Sequence, residues 1–255
     1  MKLSICSDAL FMGQDVVESM KTLGLASYRD IEFWTWWDKD LEALLELKES
    51  HQLNYVAFCT RFVSLVDPSK REEYRQGLVE SIQAAKKLGC KTLISQVGDE
   101  LVGVERKIQV DSLVTGLKEM VPLLEEADIT LVIEPLNTRV DHKGYFLWSS
   151  DEAFGIIEEV GSPKVKVLFD IYHQQIMEGD LICRIGSNID KIGHFHIAGN
   201  PGRHEPYGKE CELNYSGILR SIDQLNYDGY FGCEYFPQVP VLESLNGLKD
   251  IVTEG

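Results

Sequence analysis

Eight short runs of apolar, β-branched and aromatic residues alternate along this chain with longer segments of helical periodicity. We interpret the following runs as strands: "LSICS" (3–7), "DIEFW" (30–34), "YVAFC" (55–59), "KTLISQV" (91–97), "ITLVIEP" (129–135), "VKVLFD" (165–170), "IGHFHIA" (192–198) and "YFGCEYF" (230–236). In the segments between them, apolar residues recur at spacings of three and four, as one buried helical face requires. Regular alternation of strands and helices predicts an α/β fold with a parallel sheet.

Eight strand–helix repeats within 255 residues predict a (β/α)8 TIM barrel, which typically needs about 250 residues. We expect residues 1–255 to form a single domain, because no linker, low-complexity tract or shift in composition divides the chain. The alternative is an open doubly wound sheet, which usually carries a glycine-rich phosphate-binding turn after an early strand. The segment "CSDALFMG" after the first strand contains neither GxGxxG nor GxxxxGK[ST], so the pattern favours the barrel.

Charge and composition argue against nucleic-acid and membrane partners. The chain has 25 Lys and Arg against 41 Asp and Glu, a formal net charge of −16, which repels nucleic acid and anionic membranes. No apolar stretch is long enough to span a bilayer, and Asp8 interrupts the short apolar run at the N-terminus, unlike a signal peptide. The six cysteines lack CxxC spacing. We therefore expect a cytoplasmic protein with a small-molecule substrate and no nucleic-acid or membrane partner, and homo-oligomerisation stays open.

Polar residues end four consecutive predicted strands, the fifth to the eighth. These residues are Glu134, Asp170, His196 and Glu234. TIM-barrel reactions take place at the carboxyl ends of the strands, so the four side chains should meet at one mouth. Each has an ordinary structural interpretation when taken singly: a solvated strand end, a helix cap or a core imidazole. Together they indicate a cation, because three converging carboxylates would otherwise repel one another strongly.

The chemistry of this set predicts one divalent metal ion. Three carboxylates and a neutral imidazole suit Mg²⁺ or Mn²⁺, and Co²⁺ or Zn²⁺ would also be accepted. Four protein ligands leave two octahedral positions for adjacent carbonyl and hydroxyl oxygens of a substrate. Removing a proton beside that carbonyl, and returning it, needs two acid–base groups. Glu134 and Glu234 flank Asp170 and His196 in strand order, so they are the candidates.

The segments "EPLNTRVDHKGYFL", "LFDIYHQQIMEGDLI", "GHFHIAGNPGRHEP" and "YDGYFGCEYFP" resemble the hydroxypyruvate isomerase family, within the xylose isomerase-like TIM barrels. The resemblance is dense over residues 131–237. It implies that Glu134, Asp170, His196 and Glu234 bind the metal, that Glu134 and Glu234 move the proton, and that His173 and Arg203 hold substrate oxygens.

The reaction implied by the resemblance converts hydroxypyruvate to 2-hydroxy-3-oxopropanoate, an aldose–ketose type isomerisation. The alternatives are a 2-oxo-tetronate isomerase or a ketose 3-epimerase, which belong to the same group of barrels. A non-catalytic sugar-binding barrel and an apurinic-site endonuclease are further alternatives. The endonuclease would need a multinuclear metal site and a basic groove, which the net charge of −16 disfavours. The sugar-binding barrel would have lost an acid–base residue, whereas Glu134 and Glu234 are both present.

Other polar and aromatic residues near the predicted mouth could contact the substrate or serve the structure alone. His173 lies three residues after Asp170, and Arg203 lies in a Gly/Pro loop, so both are candidates to contact substrate. We expect His142 and His194 to be structural or solvated, with His194 on the opposite face of its strand from His196. The run "FWTWWDKD" concentrates three tryptophans after the second strand. Trp34, Trp36 and Trp37 are expected to pack, or to supply an apolar wall for the site.

Overall fold

The computed structural model describes residues 1–253, and its eight strands form one closed parallel barrel in sequence order. The strands are β1 (Lys2–Cys6), β2 (Asp30–Phe33), β3 (Asn54–Cys59), β4 (Thr92–Ser95), β5 (Thr130–Ile133), β6 (Val165–Asp170), β7 (Ile192–Ile197) and β8 (Tyr230–Cys233). The first strand pairs with both β2 and β8, which closes the sheet. The predicted TIM barrel is therefore confirmed, and the doubly wound alternative is wrong.

Helices follow the strands and surround the barrel. They are α1 (Ser7–Leu10), α2 (Val16–Leu25), α3 (Leu41–His51), α4 (Arg71–Leu88), α5 (Arg106–Ala127), α6 (Ser150–Val160), α7 (Ile171–Met177), α8 (Leu181–Asn188), α9 (Tyr215–Asp223) and α10 (Val241–Thr253). Two short 3₁₀ helices lie at Pro68–Lys70 and Ile189–Lys191. Within residues 1–253, no helix combines the length and apolarity needed to cross a bilayer.

Alternation along the strands divides the buried residues into two sets. Val167, Phe169 and Phe195 belong to the large apolar core, whereas Val132 and Leu168, at the intervening strand positions, belong to a separate small cluster. Successive side chains of a strand point to opposite faces, so we assign the large core to the layer beneath the helices and the small cluster to the barrel interior. The interior positions of β5 and β6 therefore continue, two residues later, into carboxylates at the mouth.

Aromatic packing stabilises the outer layer around β7. The Phe195 ring stacks on that of Phe231 with their centroids 5.1 Å apart, and it meets the Tyr227 ring edge-on at 4.9 Å. Phe195 is fully buried, and its ring also contacts Phe169 at 6.1 Å. This cluster holds β6, β7 and β8 together on the side of the barrel that carries most of the polar mouth residues.

Replacing Phe195 by Ala should lower the free energy of unfolding by about 3–5 kcal/mol, because it leaves a large cavity among packed rings. Urea denaturation followed by circular dichroism measures this change. Val102→Ala is the matched control: Val102 is 99% exposed, so its free energy of unfolding should shift by less than about 0.5 kcal/mol. A loss below about 1 kcal/mol for Phe195→Ala would contradict the packing role.

Candidate active site

Four polar side chains meet inside the mouth of the barrel. Glu134 follows β5, Asp170 ends β6, His196 lies near the end of β7 and Glu234 follows β8. The His196 Nδ1 atom lies 3.4 Å from Glu134 Oε1, 3.3 Å from Glu234 Oε2 and 4.0 Å from Asp170 Oδ2. One ligand atom from each residue lies within 4.8 Å of the other three. The structure thus brings together the four residues that the sequence pattern singled out.

The donor atoms of this cluster fit a metal ion. Glu134 Oε1, Asp170 Oδ2 and His196 Nδ1 are buried and have no hydrogen-bond partner within residues 1–253. A buried polar atom without a partner is costly, and buried carboxylates without a cation are more so. Oxygen-rich sets with one imidazole suit hard or borderline divalent ions. The residues present therefore fit a single divalent cation.

Burial and neighbouring charges shift the pKa values of the cluster residues. Burial raises the pKa of Asp170 to about 7, against the opposing influence of Arg203 and His196. Burial also acts on Glu234, but Arg203 and His196 outweigh it and hold the pKa of that carboxyl well below its usual range. Although burial opposes charging of His196, Glu234 and Glu134 raise its pKa well above the usual value. The centre of the cluster therefore stabilises positive charge strongly.

Glu234 is held by two further side chains. The Trp34 indole Nε1–H donates to Oε1, and the Arg203 guanidinium donates from Nη2 to Oε2. The guanidinium lies over the rings of Tyr172 and Phe236, 5.6 Å from each centroid, and Arg203 is only 8% exposed. The predicted mouth position of Arg203 is thus observed, with Glu234 as its direct partner.

Asp170 combines a structural task with its place in the cluster. Its Oδ1 atom accepts a hydrogen bond of 3.0 Å from the His173 backbone N–H and caps α7. A side-chain oxygen at this position satisfies one of the unpaired donors of a helix start. Its other oxygen, Oδ2, faces His196. The ordinary interpretation of Asp170 as a helix cap and the ligand interpretation therefore use different oxygens and are compatible.

His173 presents a defined donor to the site. The Asn137 carboxamide oxygen accepts from the backbone N–H groups of Val140 and Asp141, which identifies its Nδ2 as the group 2.7 Å from His173 Nδ1. Because Nδ2 donates to Nδ1, the hydrogen of a neutral His173 must lie on Nε2. Burial, followed by the charge of Arg203, lowers the pKa of His173 well below its usual value. The Nε2–H group is buried and lies 3.6 Å from Asp170 Oδ2.

A cavity of about 250 Å³ opens above the cluster. Its walls comprise Trp34, Thr35, Cys59, Phe62, Ile94, Gln96, Glu134, Leu136, His142, His196, Arg203 and Glu234. Trp34 forms part of the apolar wall, which was one of the two roles expected of the tryptophans. Trp36 is not among these wall residues, and its indole N–H donates to Ser81 Oγ. Trp37 packs edge-on against Phe62 at 5.1 Å. The cavity therefore has a mainly apolar side and a polar side.

His142, which was expected from the sequence to be structural or solvated, lines the cavity. Its ring meets that of His173 at 5.3 Å, and its Nε2 atom has no hydrogen-bond partner in the described part of the chain. The loop after β5 turns back over the mouth, with Asn137 accepting from two of its backbone amides. The sequence signal was its closeness to Glu134, within the loop of the same strand.

The second unpredicted feature lies deeper in the barrel. Glu32 of β2 is 1% exposed, and its Oε2 atom lies 3.0 Å from His194 Nε2 and 3.2 Å from His196 Nε2. His194 and His196 thus face the same side, and the expectation of opposite faces was wrong because residues two apart in a strand share a face. Although burial alone would raise it, the two imidazoles lower the pKa of Glu32 to about 2.

Comparison with known proteins agrees with this architecture. A family model described as "Xylose isomerase-like TIM barrel" matches residues 12–251. The hydroxypyruvate isomerase of Escherichia coli (strain K12) is 33% identical over 238 residues, covering 90% of this chain and 91% of that protein. The 2-oxo-tetronate isomerase of Cupriavidus necator is 47% identical over 121 residues, covering 48% of this chain and 45% of that protein.

Solved structures share the same barrel. A Brucella melitensis protein described as an AP endonuclease of family 2 superposes with a TM-score of 0.92 at 28% identity, covering 98% of both chains. A D-psicose 3-epimerase of Clostridium cellulolyticum H10 gives a TM-score of 0.80 at 16% identity, covering 99% of this chain and 92% of that one. At that identity the second likeness concerns the fold alone. The chain therefore belongs to the xylose isomerase-like TIM barrel family, and it is an isomerase.

Proposed function

We propose that this protein is a metal-dependent isomerase that converts hydroxypyruvate to 2-hydroxy-3-oxopropanoate. The observation that carries the proposal is the convergence of Glu134 and Glu234 on His196 Nδ1, at 3.4 and 3.3 Å, beside a cavity of about 250 Å³. Two carboxylates at one reaction centre are what proton transfer between adjacent carbons requires. The similarity to the Escherichia coli hydroxypyruvate isomerase over 90% of this chain supports this substrate.

The reaction moves one proton between two carbons and one between two oxygens, and it leaves the composition of the substrate unchanged. A base removes a proton from C3, the hydroxymethyl carbon of hydroxypyruvate, and the C2 carbonyl becomes part of an enediolate. An acid then protonates C2, and the proton of the C3 hydroxyl passes to the C2 oxygen, so that C3 becomes the aldehyde and C2 carries the hydroxyl. When bound by Glu134, Asp170, His196 and Glu234, a divalent ion supplies Lewis-acid polarisation of the carbonyl. The reaction needs no redox cofactor, because the product is an isomer of the substrate.

The surroundings of the two glutamates suggest how they divide the proton transfer. Although burial opposes it, Arg203 and His196 keep Glu234 ionised by lowering the pKa of its carboxyl, and we assign Glu234 the role of proton acceptor. Glu134 approaches from β5 and would return the proton. The His173 Nε2–H group would donate to a substrate oxygen, and the buried guanidinium of Arg203 would attract the substrate carboxylate. The apolar wall around Trp34 and Phe62 would exclude water from the enediolate.

A second candidate substrate is a four-carbon 2-oxo acid. The observation that favours it is the 47% identity to a 2-oxo-tetronate isomerase over 121 residues. Its carbonyl and adjacent hydroxyl would present the same oxygens to the cluster, so the residue roles would be unchanged. Epimerisation of a ketose would use the same two glutamates, but the proton would return to the carbon it left, on the opposite face. We do not propose a nucleic-acid substrate, because the net charge of −16 opposes the approach of a polyanion.

The main experiment follows solvent deuterium entering hydroxypyruvate by NMR while the aldehyde product is monitored. Chelator-treated protein should show neither exchange nor product, and both should return on addition of Mn²⁺ or Mg²⁺, because the buried carboxylates need a cation. Equal activity before and after chelation would refute metal dependence. Exchange with a four-carbon 2-oxo acid but none with hydroxypyruvate would favour the second substrate.

Glu234→Gln should lower kcat by about 10²–10⁴-fold, since the amide cannot accept the substrate proton. The substitution keeps the shape of the side chain, so the circular dichroism spectrum and melting temperature should stay close to those of the wild type. Glu126→Gln is the matched control, on the exposed side of α5, and its kcat should be unchanged. Near-normal turnover by Glu234→Gln would remove Glu234 from the acid–base pair.

Asn137→Asp should lower kcat/KM by about 10–100-fold, a loss of roughly 1.4–2.7 kcal/mol in transition-state stabilisation. An aspartate accepts a hydrogen bond where the Asn137 amide donates one to His173 Nδ1. The imidazole hydrogen would then be drawn from Nε2 towards Nδ1, against the backbone N–H of residue 137, which also donates to Nδ1 at 3.3 Å. Asn137 also donates to Asp141 Oδ2 at 2.6 Å. The double variant Asn137→Asp/Asp141→Asn restores an amide–carboxylate pair there without restoring the donor to His173. Full recovery of kcat/KM in the double variant would show that carboxylate repulsion, and not the His173 tautomer, caused the loss.

A further inference from the structure

Glu32 is a buried, hydrogen-bonded carboxylate in the barrel interior, one layer below the four-residue cluster. Its Oε1 atom accepts a hydrogen bond of 2.6 Å from Ser4 Oγ, while Oε2 is shared by His194 Nε2 and His196 Nε2 at 3.0 and 3.2 Å. All four residues are at most 2% exposed. A buried carboxylate with three donors around it is fully satisfied and therefore held in one position.

Strand β8, which lies between β7 and β1, makes room for this carboxylate. Gly232 of β8 pairs in register with His196 of β7 and with Ser4 of β1. A Cβ atom at position 232 would lie 2.1 Å from Glu32 Oε1 and 2.6 Å from His196 Cδ2. Any side chain there would displace Glu32 or turn the imidazole. The glycine is thus a geometric condition for the contact between Glu32 and His196.

This contact determines which nitrogen of His196 carries hydrogen. A carboxylate only accepts hydrogen bonds, so the Nε2 atom facing Glu32 Oε2 must be the protonated nitrogen. The lone pair of a neutral His196 then lies on Nδ1, the atom that faces Glu134, Asp170 and Glu234. Histidines that bind metals commonly donate their other N–H group to a carboxylate, which orients the ring.

We propose that Glu32 is the positioning residue that holds His196 in the Nε2–H tautomer and so presents the Nδ1 lone pair to the metal. The inference rests on the proposed metal-dependent function. Glu32 touches neither substrate nor ion; it acts through His196, and its loss would weaken metal binding before any step of the reaction. The His194 imidazole also donates to Oε2 of Glu32, and it helps to hold the carboxylate in place from the deeper side.

A second cation bound by Glu32, His194 and His196 is the competing interpretation, since their ligand atoms also lie within 4.8 Å of one another. We favour the positioning role because Glu32 already accepts from Ser4 and from both imidazoles. Binding of a cation there would replace those donors, and it would also take the Nε2 atom of His196. The two interpretations differ in stoichiometry, one Mn²⁺ per chain against two.

The experiment is calorimetric titration of chelator-treated full-length protein with Mn²⁺. Wild type should bind one ion, and Glu32→Ala should bind it about 10–100-fold more weakly. Glu32→Gln keeps the side-chain volume and one acceptor, and should weaken binding by roughly tenfold, even if Glu32→Ala proves unstable. Ser112→Ala is the matched control, because the hydroxyl of this buried serine donates to the Leu65 carbonyl oxygen, outside both clusters, and its Mn²⁺ affinity should stay within about threefold of the wild-type value.

Nitrogen-15 NMR of the Mg²⁺-loaded protein gives a second readout. Wild type should show His196 protonated at Nε2 only, and the Glu32 variants should show a mixture of tautomers. Unchanged Mn²⁺ affinity and an unchanged tautomer in both Glu32 variants would overturn the proposal while leaving the proposed function intact. Two bound ions in the wild type would overturn it in favour of the second cation. No Mn²⁺ binding by the wild type would overturn both the positioning role and the proposed function.

Discussion

Three buried carboxylates facing one imidazole are the constraint around which the mouth of this barrel is built. Charges of one sign in a medium of low polarity repel strongly, so each must be paired, capped or neutralised. Arg203 and Trp34 bind the two oxygens of Glu234. Asp170 uses one oxygen to cap α7. The atoms that stay unpaired, Glu134 Oε1, Asp170 Oδ2 and His196 Nδ1, face the same point, and this arrangement is the physical basis for proposing a divalent cation.

Two of the histidines at the mouth, His173 and His196, are each held in one tautomer by a different partner. Asn137 donates to His173 Nδ1, so the Nε2–H group of that imidazole is left to face the site. Glu32 accepts from His196 Nε2, so the lone pair of that imidazole faces the carboxylates. One ring thus presents a donor and the other an acceptor. Both partners are buried, which keeps water from competing for the orienting hydrogen bonds.

The architecture suits isomerisation because the mobile species in such a reaction is a proton. Glu134 and Glu234 approach the cluster from different strands, while the polarising ion that we propose would lie between them. Trp34 and Phe62 line the apolar side of the cavity beside this centre. Relatives named for hydroxypyruvate and for 2-oxo-tetronate differ in their substrates, but both reactions would use the same transfer between adjacent carbons. Substrate choice then depends on the loops that line the cavity, such as the one carrying His142.

The sequence by itself determined the barrel, because eight strand–helix repeats have few other ways to bury their apolar faces. It also placed Glu134, Asp170, His196 and Glu234 at one mouth, since parallel strands share a carboxyl edge. Only the tertiary structure decided which atoms meet. Glu32 contacts His196 from a strand 164 residues away, and His142 reaches the cavity through the path of a loop. Periodicity records the face and the end of each strand, but pairing across the barrel depends on closure and register, which local sequence does not encode.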